Sequence, residues 1–125
     1  KKCTFSGAHL NLHIVTNGKL EIVEGNKLSV GNRLEETFTS QAVNFSPESI
    51  LYLTTDGFKD QKSVVRRDHH DSHRSKRIGK KGFEKMLCDL SGPVKDQGEK
   101  LKKEFEEVKG EGEQIDDVLV IGFRI

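Results

Sequence analysis

Ile50-Leu51-Tyr52-Leu53-Thr54-Thr55-Asp56-Gly57-Phe58 is the stretch on which the reading of this chain turns. An apolar run followed by two β-branched threonines predicts a buried strand. The strand is expected to stop at Asp56-Gly57, because glycine reaches backbone conformations closed to other residues and lets the chain turn sharply. A carboxylate fixed there is held by rigid backbone and stays open to solvent or ligand, as a metal-binding or catalytic acid must be. An ordinary strand–turn junction with a solvated aspartate is the competing reading.

Upstream, Leu10, Leu12 and Ile14 alternate with Asn11 and His13, the period of a half-buried strand. Asn17-Gly18 follows, and Leu20 and Ile22 resume the pattern, which predicts a hairpin with a type I′ turn. Gly25 to Gly31 reads as a turn-rich connector. Residues 36–45 have strand propensity, and Ser46-Pro47-Glu48-Ser49 turns directly into the Ile50 strand. So short a connection predicts that these two strands are antiparallel neighbours.

Downstream, residues 59–77 carry almost no apolar periodicity and are expected to form a long exposed loop. A helix is predicted from Lys80 to Leu90, with Phe83, Met86, Leu87 and Leu90 on one face. Ser91-Gly92-Pro93 ends it and opens a second helix, whose stripe is Val94, Leu101, Phe105 and Val108 and whose stop is Gly110. Val118 to Ile125 is apolar on both faces and predicts a central strand, opened by Asp116-Asp117. Strands, then two helices, then one strand argue for an α+β fold.

At 125 residues the chain is read as one domain, and a hydrophobic fraction of 33% leaves room for a lean core. A net charge of +1 exerts no general pull toward nucleic acid or an anionic membrane. The charge is uneven, however: residues 59–85 carry a net +6 and residues 99–117 a net −4. No run is long enough to span a membrane and no signal-peptide pattern is present, so a cytoplasmic location without membrane contact by this segment is expected. Cys3 and Cys88 fit no zinc or CxxC spacing and are expected to be reduced thiols. The chain opens on Lys1-Lys2-Cys3 and its only methionine is Met86, which leads us to expect a piece of a longer protein.

Three groups of residues could carry chemistry. If the strand ending at Asp56 and the strand opened by Asp116-Asp117 are adjacent and antiparallel, the carboxylates meet at one end of the sheet. Clustered carboxylates repel unless a cation neutralises them, and all-oxygen donors suit Mg²⁺ or Mn²⁺. Solvated turn aspartates are the alternative. Asp68-His69-His70-Asp71-Ser72-His73 has spacings that could hold a transition metal, but it lacks a predicted scaffold and reads as a hydrophilic loop. The basic run Arg66–Lys81 lacks interleaved aromatics and any nucleic-acid motif. It is expected to be a solvated loop that guides a phosphorylated substrate through Arg66, Arg67 and Arg74, with no nucleic-acid partner.

Taken together, Phe5-Ser6-Gly7-Ala8-His9-Leu10-Asn11-Leu12, the Gly25–Gly31 connector, Leu51 to Gln61 and Gln114-Ile115-Asp116-Asp117-Val118-Leu119-Val120-Ile121-Gly122 form an ordered set. In that order and spacing they resemble the C-terminal part of a SpoIIE-like serine phosphatase, from the bacterial branch of the metal-dependent (PPM-type) protein phosphatases. The resemblance covers essentially the whole chain. It implies stacked β-sheets flanked by helices, here as an incomplete domain, and hydrolysis of phosphoserine or phosphothreonine by a metal-bridging water. It implies two Mn²⁺ or Mg²⁺ ions in the complete domain, with Asp56 and Asp116 matching ligands and Gly57 and Asp117 in support.

The substrate class that the resemblance implies is a phosphorylated regulatory protein of the anti-sigma-factor antagonist type. The family's bridging aspartate and its D-x-x-G-H-G stretch have no counterpart here, so this segment alone is expected to be inactive. Uncovered sheet edges are expected to promote self-association. The loop after Gln61 departs from the Gly-rich pattern of the family. A non-catalytic phosphatase-like module that binds a regulatory partner is the alternative function.

Overall fold

The computed structural model describes residues 1–31, 37–63 and 76–125, and these form two compact units. The first unit comprises residues 1–54 and 120–125. Its strands are β1 (Lys2–Phe5), β2 (Leu12–Thr16), β3 (Lys19–Val23), β4 (Gln41–Asn44), β5 (Ile50–Thr54) and β8 (Val120–Phe123). They make an antiparallel four-stranded sheet of order β3-β2-β5-β8 and an antiparallel pair, β1-β4.

The hairpin is built as its sequence predicts. Thr16 pairs with Lys19 across a two-residue turn, and Asn17 and Gly18 both have positive φ, 50° and 75°. That is the conformation whose twist matches the flanking strands. The connector after the hairpin folds back on the start of the chain. The Asn26 N–H donates to the Gly7 carbonyl and the His9 N–H to the Asn26 carbonyl, each at 2.8 Å. Two of the sequence pieces that carry the family resemblance therefore meet in space.

The two sheets stack. Leu12, Ile14 and Leu51 on one sheet and Phe5 and Val43 on the other share a buried core with Phe45, and Cys3, Val23, Leu53 and Phe123 close its margin. Here β4 departs from expectation. It pairs with β1, and it is β2 and β8 that flank β5. The Ser46–Ser49 turn, closed by Ser49 N–H to the Ser46 carbonyl at 3.1 Å, carries the chain from one sheet to the other. Stacking buries Val43 and Phe45 against the faces of β2 and β5, which side-by-side pairing would not do.

A second correction concerns β8. It lies at the edge of the four-stranded sheet as described, and Ile121 is 46% exposed. An apolar run on both faces reports what a strand's faces require, and says nothing about how many of its edges are paired.

The second unit, residues 55–119, contains α1 (Gly57–Asp60), β6 (Lys62–Ser63), β7 (Lys76–Arg77), α2 (Gly79–Asp89) and α3 (Val94–Lys109). Phe83 and Leu87 are buried on α2 and Leu101 and Phe105 on α3, on the periodic faces read from the sequence; Gln97, which that reading did not include, is buried as well. Phe58 joins them: its ring centroid lies 4.9 Å from that of Phe83 and 5.2 Å from that of Phe105, both tilted. The expected exposed loop begins instead with the single turn of α1, and β6 pairs with β7, Lys62 opposite Arg77. No described helix is long and apolar enough to cross a membrane.

Candidate active site

The acids singled out above lie in the second unit, where two backbone segments meet. The Thr55 N–H donates to the Leu119 carbonyl at 3.0 Å. The Thr55 hydroxyl donates to the Asp117 carbonyl and accepts from the Leu119 N–H, both at 2.9 Å. On the far side of Asp56, Gly57 packs so closely that a Cβ there would stand 2.4 Å from the Asp117 carbonyl oxygen. Both chain neighbours of Asp56 thus touch the residue next to Asp116. The antiparallel pairing of β5 with β8, Thr54 opposite Val120, is the adjacency the strand reading required.

Asp56 opens α1, a place where an aspartate ordinarily accepts from the first free N–H groups. Its carboxylate makes no such cap bond and is exposed. Phe58 fixes the turn from below through its contacts with Phe83 and Phe105, so the acid stands on an anchored backbone. Asp116 and Asp117 are also exposed. Asp116 Oδ1 accepts from the Asp117 N–H at 2.7 Å, and the Asp116 carbonyl accepts from Gln114 Nε2 at 2.9 Å. These two local bonds fix the backbone on either side of the Asp116 side chain.

The donors gathered here are oxygens only, the chemistry of Mg²⁺ and Mn²⁺. Among the described residues no three of His, Cys, Asp and Glu form a metal-holding group. Asp56 and Asp116 offer two carboxylates, and Mg²⁺ is commonly held by one or two carboxylates with water completing the shell. Arg66, Arg67 and Arg74, and the Asp68–His73 segment, lie outside the described residues.

Two residues that bond to the segment around Asp116 were not singled out in the sequence reading. Thr55 read only as the end of a strand. Gln61 read as part of a polar loop, yet it is 1% exposed. Its one sequence signal was membership of the Asp56–Gln61 motif.

The model of the family Stage II sporulation protein E (SpoIIE) matches residues 1–125, and the chain belongs to this family. Its architecture is that of a PP2C-type phosphatase domain. The solved structure of the SiaA-PP2C domain of Pseudomonas aeruginosa is similar over 99% of this chain, with a TM-score of 0.83 and 26% identity. This chain spans 46% of that one's length. No curated protein matches the chain.

Proposed function

We propose that this chain supplies part of the catalytic centre of a cytoplasmic, metal-dependent phosphoserine/phosphothreonine protein phosphatase. Its substrate in this reading is a phosphorylated regulatory protein of the anti-sigma-factor antagonist type, the class that the sequence resemblance implies. The observation that carries the reading is the contact of Thr55 and Gly57, on both sides of Asp56, with Asp117 beside Asp116. Mn²⁺ or Mg²⁺ would supply a water of lowered pKa and would neutralise charge on the phosphoryl oxygens.

Asp56 and Asp116 would hold the ion through their carboxylates. Asp117 supports the site through its carbonyl, which receives the Thr55 hydroxyl, and through its N–H, which orients Asp116. Gly57 lets the two segments approach. Self-association belongs to the same reading and is supported by the edge position of β8 and its exposed Ile121. A strictly monomeric species in light scattering would contradict it.

Mn²⁺-dependent hydrolysis of p-nitrophenyl phosphate tests the phosphatase reading, in this chain and in the full-length protein, each with and without Asp56→Ala. Activity in the full-length protein that disappears with the substitution supports a phosphatase. A full-length protein that hydrolyses nothing supports the non-catalytic interaction module.

A further inference from the structure

We propose that Gln61 is the positioning residue that holds Asp116 in place against the Asp56-Gly57 turn. The inference rests on the phosphatase reading above and adds to it a residue that touches neither ion nor substrate.

The side-chain amide of Gln61 uses both its donor and its acceptor. Nε2 donates to the Glu113 carbonyl at 3.0 Å and to the Lys62 carbonyl at 3.1 Å. Oε1 accepts from the Ile115 N–H at 3.4 Å. Its backbone is tied as well: the Gln61 N–H donates to the Gly57 carbonyl at 3.1 Å, and the Gln61 carbonyl accepts from the Ile78 N–H at 3.4 Å. One buried residue therefore links the start of α1 to the segment that carries the second acid.

The placement of these bonds gives the role. Gln61 grips Glu113 and Ile115, on the N-terminal side of Asp116. Thr55 grips Asp117 and Leu119, on its C-terminal side. Asp116 is bracketed by two anchors, and both anchors belong to the stretch that carries Asp56. The bracket sets where one acid stands relative to the other. At least one donor and one acceptor on the same short, planar side chain are needed, which an amide provides and a carboxylate or thioether does not. Burial raises the stakes, since losing the amide leaves the Glu113 carbonyl and the Ile115 N–H short of a partner. Groups that orient metal ligands from behind commonly change metal affinity by about 10- to 100-fold when they are replaced.

The test uses the full-length protein, its Gln61→Met variant, which keeps the length of the side chain and removes the amide, and two readouts. In the first, p-nitrophenyl phosphate hydrolysis is followed across a Mn²⁺ titration. The expected result is a Mn²⁺ half-saturation raised about 10- to 100-fold with kcat preserved at saturating Mn²⁺. A role confined to general stability would lower the active fraction and leave the half-saturation where it was.

The second readout is amide hydrogen exchange without metal. The Ile115 amide should exchange slowly in the unmodified protein and faster in Gln61→Met. Unchanged half-saturation together with unchanged exchange overturns the proposal. So does an Ile115 amide that exchanges in the unmodified protein as it would in an unstructured peptide, a result that stands even if the variant fails to fold. Failure of the phosphatase reading looks different: the unmodified full-length protein would neither bind Mn²⁺ nor hydrolyse the ester, whatever the exchange shows.

Discussion

The hydroxyl of Thr55 bridges Asp117 and Leu119, donating to the carbonyl of the first and accepting from the N–H of the second, each at 2.9 Å. A single β-branched side chain thereby adds two bonds to the direct one between the Thr55 N–H and the Leu119 carbonyl, and fixes the register of two segments that carry acids. Thr55→Val keeps the shape and removes both bonds. We expect a loss of about 0.5–1.5 kcal/mol per bond in urea unfolding, with Thr55→Ser retaining most of the stability. A Thr55→Val protein as stable as the unmodified one would show that the hydroxyl is incidental.

Gly57 and Gly98 should respond in opposite directions to alanine. At Gly57 the added carbon would stand 2.4 Å from the Asp117 carbonyl oxygen, which is backbone and must be displaced. A cost of about 1–3 kcal/mol is expected, with weakened Mn²⁺ binding in the full-length protein. At Gly98, inside α3, nothing lies within 4 Å. Alanine there should raise stability by about 0.5–1 kcal/mol, because the helix no longer carries glycine's backbone entropy. Equal effects at the two positions in thermal unfolding would be inconsistent with the geometry.

Phe58 is the anchor beneath the acid-bearing turn. It is buried between the rings of Phe83 and Phe105. Phe58→Ala should cost about 3–5 kcal/mol, as large-to-small changes in a packed aromatic site do, and Phe58→Leu clearly less. Chemical denaturation of the two variants side by side checks this.

Cys88 should be a sluggish thiol. Burial, followed by the nearby charges of Asp89 and Glu84, pushes its pKa up. The folded form thus holds its proton to higher pH than the unfolded form does. Its contribution to stability is complete below the unfolded thiol's pKa and is lost as pH rises through the folded value. Alkylation of Cys88 by iodoacetamide at mildly alkaline pH should be slower in the folded protein than in urea, and equal rates would remove the claim.

The parts of this fold legible in the sequence were those set by local chemistry. Asn17-Gly18 announces its turn because both positions need positive φ, and Phe83, Leu87, Leu101 and Phe105 announce buried helix faces by their spacing. The partner of β4 was not legible. Val43 and Phe45 show that a face must be covered, but the choice between pairing with β5 and stacking on it depends on how the whole core closes. The edge position of β8 escaped for a related reason, since hydrophobicity reports faces and leaves edges open.

At the site, Asp56 and Asp116 were visible as acids at strand ends. Gln61 was not, because a buried amide in a run of charged residues has no periodicity. Its importance comes from a carbonyl and an N–H more than fifty positions away.

The pairing of β6 with β7 has an evolutionary corollary. Lys62 is paired with Arg77 and Ser63 with Lys76, so positions 63 and 76 lie side by side in the backbone. Lengthening a segment whose ends are already joined adds only about 0.6 kcal/mol per doubling of its length. Descendants of this sequence can therefore gain or shed residues between those two strands, or accept a grafted peptide there, while Gln61 and the acids it positions keep their places.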